Sequence, residues 1–287
     1  MRKYRLEYFI IIFLCIAVLI VGGTVINKYF LTMKPQKPDQ IVAGAVVTQI
    51  PSVTTQITHV PTASPSSTVA PRLTTKKKQY TIAVYGDSMV ETMGERTDYL
   101  EHKLVPTYPS TTFKFYNYGV GGENAQKGLG RWGSAFKYKD RDFPPITDIK
   151  PDIIIIGSFA YNPPVPYDRN AHFTTLAELV RKAQSTGAQV YLLAEIAPLE
   201  NNFGKGPGGV NWDDSLSRDQ ARKITELLEN AVNLGSGLGV PVINVYDATN
   251  GSGKYGSSEY TDPHDGIHPS VAGHTFMASI IANKLRL

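Results

Sequence analysis

The sequence predicts an α/β domain over residues 80–287, with a central parallel sheet covered by helices on both faces. Three observations predict it. Short apolar runs alternate with helix-like stretches through the whole segment, the pattern of repeated strand–helix units. One run, Ile153-Ile154-Ile155-Ile156, is apolar on both faces, as a strand in the middle of a parallel sheet is. The segment is long enough to bury a core of its own, and it carries no internal repeat.

Taken in order, the first strand falls at 80–85, where aromatic and β-branched side chains lead into Gly86-Asp87-Ser88. A helix is predicted at 98–105 and a second strand at 112–118, ahead of a glycine-rich block. The isoleucine run lies in a strand at 152–156. A helix at 173–186 and a strand at 189–195 follow. The helix at 217–234 shows the clearest period: Ile224, Leu227, Leu228, Ala231 and Val232 recur at helical spacing, with charges opposite. A strand at 240–245 precedes the last helix, 271–284, which Pro269-Ser270 opens. Ligands of such sheets bind beyond the carboxyl ends of the strands. Ser88, Gly122, Asn162 and the Asp265–His268 pair all follow predicted strands or helices, so they can converge on one rim.

Upstream, the chain changes character. Residues 1–7 form a short basic tail with Arg2, Lys3 and Arg5. Residues 8–26 are uncharged and apolar, long enough to cross a bilayer as a helix. That core is too long for a typical signal peptide, and Gly22-Gly23-Thr24 is a poor cleavage site, so an uncleaved signal anchor is expected. Residues 27–79 contain a stretch rich in Pro, Ser and Thr, read as a disordered tether. The expected location is a single-pass membrane protein with its domain on the extracytoplasmic side, since long domains translocate largely regardless of flanking charge. The single cysteine, Cys15, excludes an intrachain disulfide. A net charge of +4, owed partly to the N-terminus and Lys76-Lys77-Lys78, does not argue for nucleic acid.

The chemistry rests on two distant pieces. Ser88 follows the first strand; Asp265 and His268 sit three residues apart near the C-terminus. A serine hydroxyl needs a base to take its proton. An imidazole serves best when a carboxylate fixes its tautomer and stabilises its charged form. Alone, Gly86-Asp87-Ser88 reads as a turn or helix cap. With the acid–imidazole pair downstream, Ser88 becomes the candidate nucleophile, His268 the base and Asp265 its orienting partner. Asp262 and His264 also lie nearby, but no other metal-ligand motif occurs, so no metal or other cofactor is expected.

Four blocks resemble those of the SGNH (GDSL-type) hydrolases: Gly86-Asp87-Ser88-Met89, Asn117 to Asn124, Gly157 to Asn162, and Asp265-Gly266-Ile267-His268-Pro269. The resemblance implies a flavodoxin-like three-layer α/β/α sandwich and a serine esterase working through an acyl-enzyme. It implies an oxyanion hole made of the Ser88 main-chain N–H, a glycine N–H and the Asn162 side-chain amide. Gly119, Gly121 and Gly122 are all available for the glycine; aligning the block on Asn117 favours Gly122. The third block departs from the family pattern, with extra residues before Asn162 and no aspartate after it, which leaves Ser158 as a substitute.

A short-chain acyl ester, such as an O-acetyl group on a cell-surface glycan, is the expected substrate. Trp132, Tyr138, Tyr161 and Trp212 are candidates to stack on sugar rings. The alternatives are a catalytically silent glycan-binding module on a membrane tether, or a lipid or aryl esterase. The catalytic domain is expected to be monomeric.

Overall fold

A computed structural model describes residues 75–251 and 253–287. The anchor and nearly all of the tether lie outside them. Among the described residues no helix is long and apolar enough to cross a membrane.

Five parallel strands form the central sheet: β1 (Gln79–Gly86), β2 (Thr112–Gly119), β5 (Ile153–Gly157), β6 (Gln189–Ala194) and β7 (Val242–Asn244). They lie side by side in the order β2-β1-β5-β6-β7. Strand β5 sits at the centre because it can: Ile153, Ile154, Ile155 and Ile156 are all wholly buried. The helices pack in two groups, α2 (Asp98–Thr107) against α7 (Val271–Lys284), and α3 (Ala125–Arg131) against α4 (Arg169–Gln184), which packs in turn on α5 (Asp214–Leu238). This is the expected three-layer α/β/α sandwich. The chain order reverses direction between β1 and β5, and at such a switch point a crevice opens beyond the strand ends.

Several elements differ from expectation, each for a local reason. Helix α4 starts at Arg169 because the Asp168 carboxylate accepts from the Asn170 and Ala171 N–H groups, both at 2.9 Å. Strand β7 is short because the Asn244 side chain caps the Asp247 N–H and starts α6 (Val245–Thr249) at once. The helix cap read at Gly86-Asp87-Ser88 opens the short α1 (Ser88–Glu91), whereas α3, α6 and a hairpin of β3 (Phe136–Tyr138) with β4 (Arg141–Phe143) lie outside the expected elements. Ahead of β1, the Thr75 hydroxyl lies 2.7 Å from that of Thr111.

Candidate active site

Strand β1 delivers Asp87 and Ser88 to the carboxyl edge of the sheet. Asp87 caps α1, its Oδ1 accepting from the Met89 N–H at 3.0 Å, and Ser88 is the first residue of that helix. Asn117, at the end of β2, holds this turn from the side. Its amide donates to the Val90 carbonyl at 2.8 Å and the Gly94 carbonyl at 2.6 Å. Arg131, from α3, donates to the carbonyls of Gly86 at 3.0 Å and Tyr118 at 2.8 Å, tying β1 to β2. Its guanidinium is paired with Glu123 at 2.6 Å and lies over the Tyr85 ring, 4.0 Å from the centroid.

Asp265 and His268 share one tight turn. Asp265 Oδ1 accepts from the main-chain N–H groups of Ile267 at 2.7 Å and His268 at 3.0 Å. Its Oδ2 lies 2.6 Å from His268 Nδ1. Burial works against the charge of Asp265, but the bonds from the His268 ring and from these two amides hold its carboxyl below the usual carboxylate range. With Nδ1 engaged, Nε2 is the ring nitrogen left free.

Ser88, Gly122, Asn162 and His268 all line one cavity of about 1000 Å³. The three candidate glycines differ in which N–H groups already have partners. The Gly119 N–H donates to Asn117 Oδ1 at 2.8 Å, and the Gly121 N–H to the Tyr138 hydroxyl at 3.2 Å. The Gly122 N–H has no partner among the described residues. Gly122 adopts φ +74, which favours glycine, and open space surrounds it. The Asn162 amide donates one hydrogen to Asp87 Oδ2 at 3.1 Å, leaving a second for the cavity. Ser158, the substitute for Asn162, is fully buried and bonded to Glu195, so it does not reach the cavity. Sequence reasoning missed Glu195 and the use of Asp87 as the anchor of Asn162. Among the described residues no three His, Cys, Asp or Glu side chains gather to hold a metal.

Residues 84–276 match the model of the GDSL-like Lipase/Acylhydrolase family. The chain belongs to this family. It is therefore an ester-hydrolysing enzyme. Solved structures with the same fold include a lipase/acylhydrolase from Enterococcus faecalis, 19% identical, with a TM-score of 0.52 over 72% of this chain and 95% of that one. A GDSL-like lipase from Bacteroides thetaiotaomicron is 17% identical, with a TM-score of 0.51 over 71% and 86% of the two chains. An acetyl-xylooligosaccharide esterase from Geobacillus Stearmophilus, as a point variant, is 16% identical, with a TM-score of 0.51 over 75% and 96%. The comparison with curated proteins returned no match.

In this GDSL-like hydrolase the cavity has a mixed lining. Phe203, Val210, Trp212 and Ile267 supply apolar surface, while Glu91, Asn124, Lys127 and Lys139 supply polar surface. Of the four aromatics picked from the sequence, Trp212 and Tyr161 line the cavity. Tyr161 is 7% exposed, with its hydroxyl donated to the Ile196 carbonyl, which leaves little ring to stack on. Tyr138 is spent on Gly121 and Glu91, and Trp132 packs edge-on against Tyr85 away from the cavity. The loop at 202–212 also braces the Asp265–His268 turn. The Gly204 N–H donates to the Gly266 carbonyl at 3.0 Å and the Gly208 N–H to the His264 carbonyl at 2.8 Å. A side chain at Gly208 would meet the His264 ring, since a Cβ there lies 2.2 Å from Nε2.

Proposed function

We propose that Ser88 is the nucleophile of a short-chain O-acyl esterase, with His268 as its base and Asp265 as the partner of the imidazole. The observation that carries this is the 2.6 Å contact between Asp265 Oδ2 and His268 Nδ1, on a histidine that lines the same cavity as Ser88. Ser88 Oγ attacks the ester carbonyl while His268 Nε2 takes its proton. The negative charge that develops on the carbonyl oxygen is met by the main-chain N–H groups of Ser88 and Gly122 and by the free Asn162 amide hydrogen. The C–O bond breaks, the alcohol leaves with the proton from His268, and an acyl-Ser88 ester remains. Water, deprotonated by His268, attacks that ester. The acid departs and Ser88 regains its proton.

The half-buried face of Trp212 supports a sugar-bearing alcohol, because an aromatic wall suits the apolar face of a pyranose. The anchor at 8–26 would hold the domain outside the membrane, beside cell-surface glycans. The catalytic domain is proposed to act as a monomer without a cofactor.

Fluorophosphonate labelling tests the assignment. The full chain takes up one label at Ser88, and folded Ser88→Ala neither labels nor turns over aryl acetates. Turnover persisting in folded Ser88→Ala overturns the proposal, and a wild-type protein that neither labels nor hydrolyses any acyl ester supports the silent binding module instead.

A further inference from the structure

Beneath the cavity lies a fully buried carboxyl group that the acyl-transfer steps do not use. Glu195 follows β6 and is 0% exposed. No lysine or arginine pairs with it among the described residues. It bonds to one residue twice: the Ser158 N–H donates to Oε1 at 3.0 Å, and the Ser158 hydroxyl bonds to Oε2. Ser158 is also held from its other sides. The Ala160 N–H donates to its Oγ at 3.1 Å, and its carbonyl accepts from His172 Nε2 at 2.9 Å. The Asn230 amide faces His172 Nδ1 at 3.3 Å, so the ring carries its proton on Nε2. Burial pushes His172 down to about 4, which keeps that ring neutral.

The clamp borders strained backbone. Phe159, next in the chain, is wholly buried and adopts φ +56, a left-handed conformation that an aromatic residue does not choose freely. Strained backbone persists only where its surroundings over-determine it, and it concentrates at functional sites. Three residues on, the turn ends at Asn162, whose amide bonds Asp87 beside Ser88. Asp87 is itself buried and within the electrostatic reach of Glu195. An ionised Glu195 would have no cation to neutralise it and would repel the carboxyl group that receives Asn162.

We propose that Glu195 is a positioning residue for the oxyanion site: as a neutral carboxylic acid it clamps Ser158, and through the strained 158–162 turn it fixes the Asn162 amide against Asp87 and toward the Ser88 side of the cavity. This rests on the assignment of Ser88 and Asn162 above. Burial, and then the field of Asp87, both favour the protonated acid.

The test is kcat and KM of the full chain on an aryl acetate, per mole of folded protein. Glu195→Asp withdraws the acid by one methylene and lowers kcat about 10- to 100-fold, with KM within about threefold. Ser158→Ala, which keeps the N–H contact, gives a smaller loss of the same kind and serves if Glu195→Asp does not fold. Glu195→Gln, neutral and of equal reach, restores kcat to within about threefold of wild type. Combining Glu195→Asp, or Ser158→Ala, with Asn162→Ala costs no more than Asn162→Ala alone, because both act through one amide. Losses that multiply in the double variant overturn the route through Asn162, and a Glu195→Gln as damaged as Glu195→Asp overturns the neutral acid. Both results leave Ser88 as nucleophile. Turnover in folded Ser88→Ala removes the foundation instead.

Discussion

The acid–base turn and the buried floor each hold carboxyl groups in place by hydrogen bonds, with opposite results. Asp265 is 18% exposed at its side chain, takes two main-chain N–H groups and faces an imidazole. Its charge is favoured. Glu195 is buried without a cation and lies in the field of Asp87, so its protonation is favoured. The difference teaches that an imidazole bond and then local amides decide the charge of a half-exposed carboxylate, while burial and a like-charged neighbour decide that of a deep one. The first keeps an imidazole in one tautomer. The second holds backbone.

The largest effect that could break this comparison is at the turn. His268→Ala is expected to lose about 10⁴-fold or more in kcat, and Asp265→Asn somewhat less. The double variant should lose no more than His268→Ala, since the residues act as a unit. A Glu195→Asp loss equal to that of His268→Ala would erase the distinction between the two regions.

Next in size is the hole itself. Asn162→Ala is expected to cost about 100- to 1000-fold in kcat on an aryl acetate. A loss under about tenfold would remove its amide from the oxyanion site.

A smaller effect tests the brace. Gly208→Val forces a side chain into the His264 ring and shifts the turn that carries His268. The expected outcome is a roughly tenfold lower kcat, with fluorophosphonate labelling slowed in parallel. Unchanged labelling would show that the 202–212 loop only shapes the cavity wall.

The smallest effect, and the sharpest, is the pH dependence of stability, read by urea unfolding of variants against wild type. The Asp265 carboxyl is held below its ordinary range, so its contribution is present above that range and is lost as pH falls through the folded value. Asp265→Asn should therefore be destabilised at neutral pH and converge on wild type in strong acid. The Glu195 carboxyl is raised, by burial and then by Asp87, so its contribution is complete below the ordinary glutamate range and is lost as pH rises through the folded value. Asp87 and Tyr161 share that interior, and His172 faces it through Ser158. Wild type should lose stability relative to Glu195→Gln with rising pH. Curves that stay parallel would mean that Glu195 is not held neutral.

The two regions also differ in how far the sequence disclosed them. Asp265 and His268 were legible because their bond closes over three residues. Ser88 was legible because a glycine and an acid precede it after an apolar run. The floor was not: Asn162 meets Asp87 across 75 residues and Ser158 meets Glu195 across 37. No period or motif records such a pairing, and a glutamate closing an apolar strand looks like its solvent end. The sheet was legible strand by strand, since each strand carries its own apolar run. The hairpin was not, because three residues a side are too few to show alternation. Helix α3 hid behind Gly128 and Gly130, although Asn124, which caps it, was a usable signal.

One consequence follows from the Tyr138 hydroxyl on the Gly121 N–H. Two adjacent amides in a glycine run are chemically interchangeable, yet among the described residues one has a partner and the other has none, and the difference is made by a phenol 17 residues away on the hairpin. The run is a portable string of letters, but its address is written elsewhere. Grafted into a scaffold without β3 and β4, the same glycines would offer two competing donors, and an acyl oxygen would have no reason to prefer either.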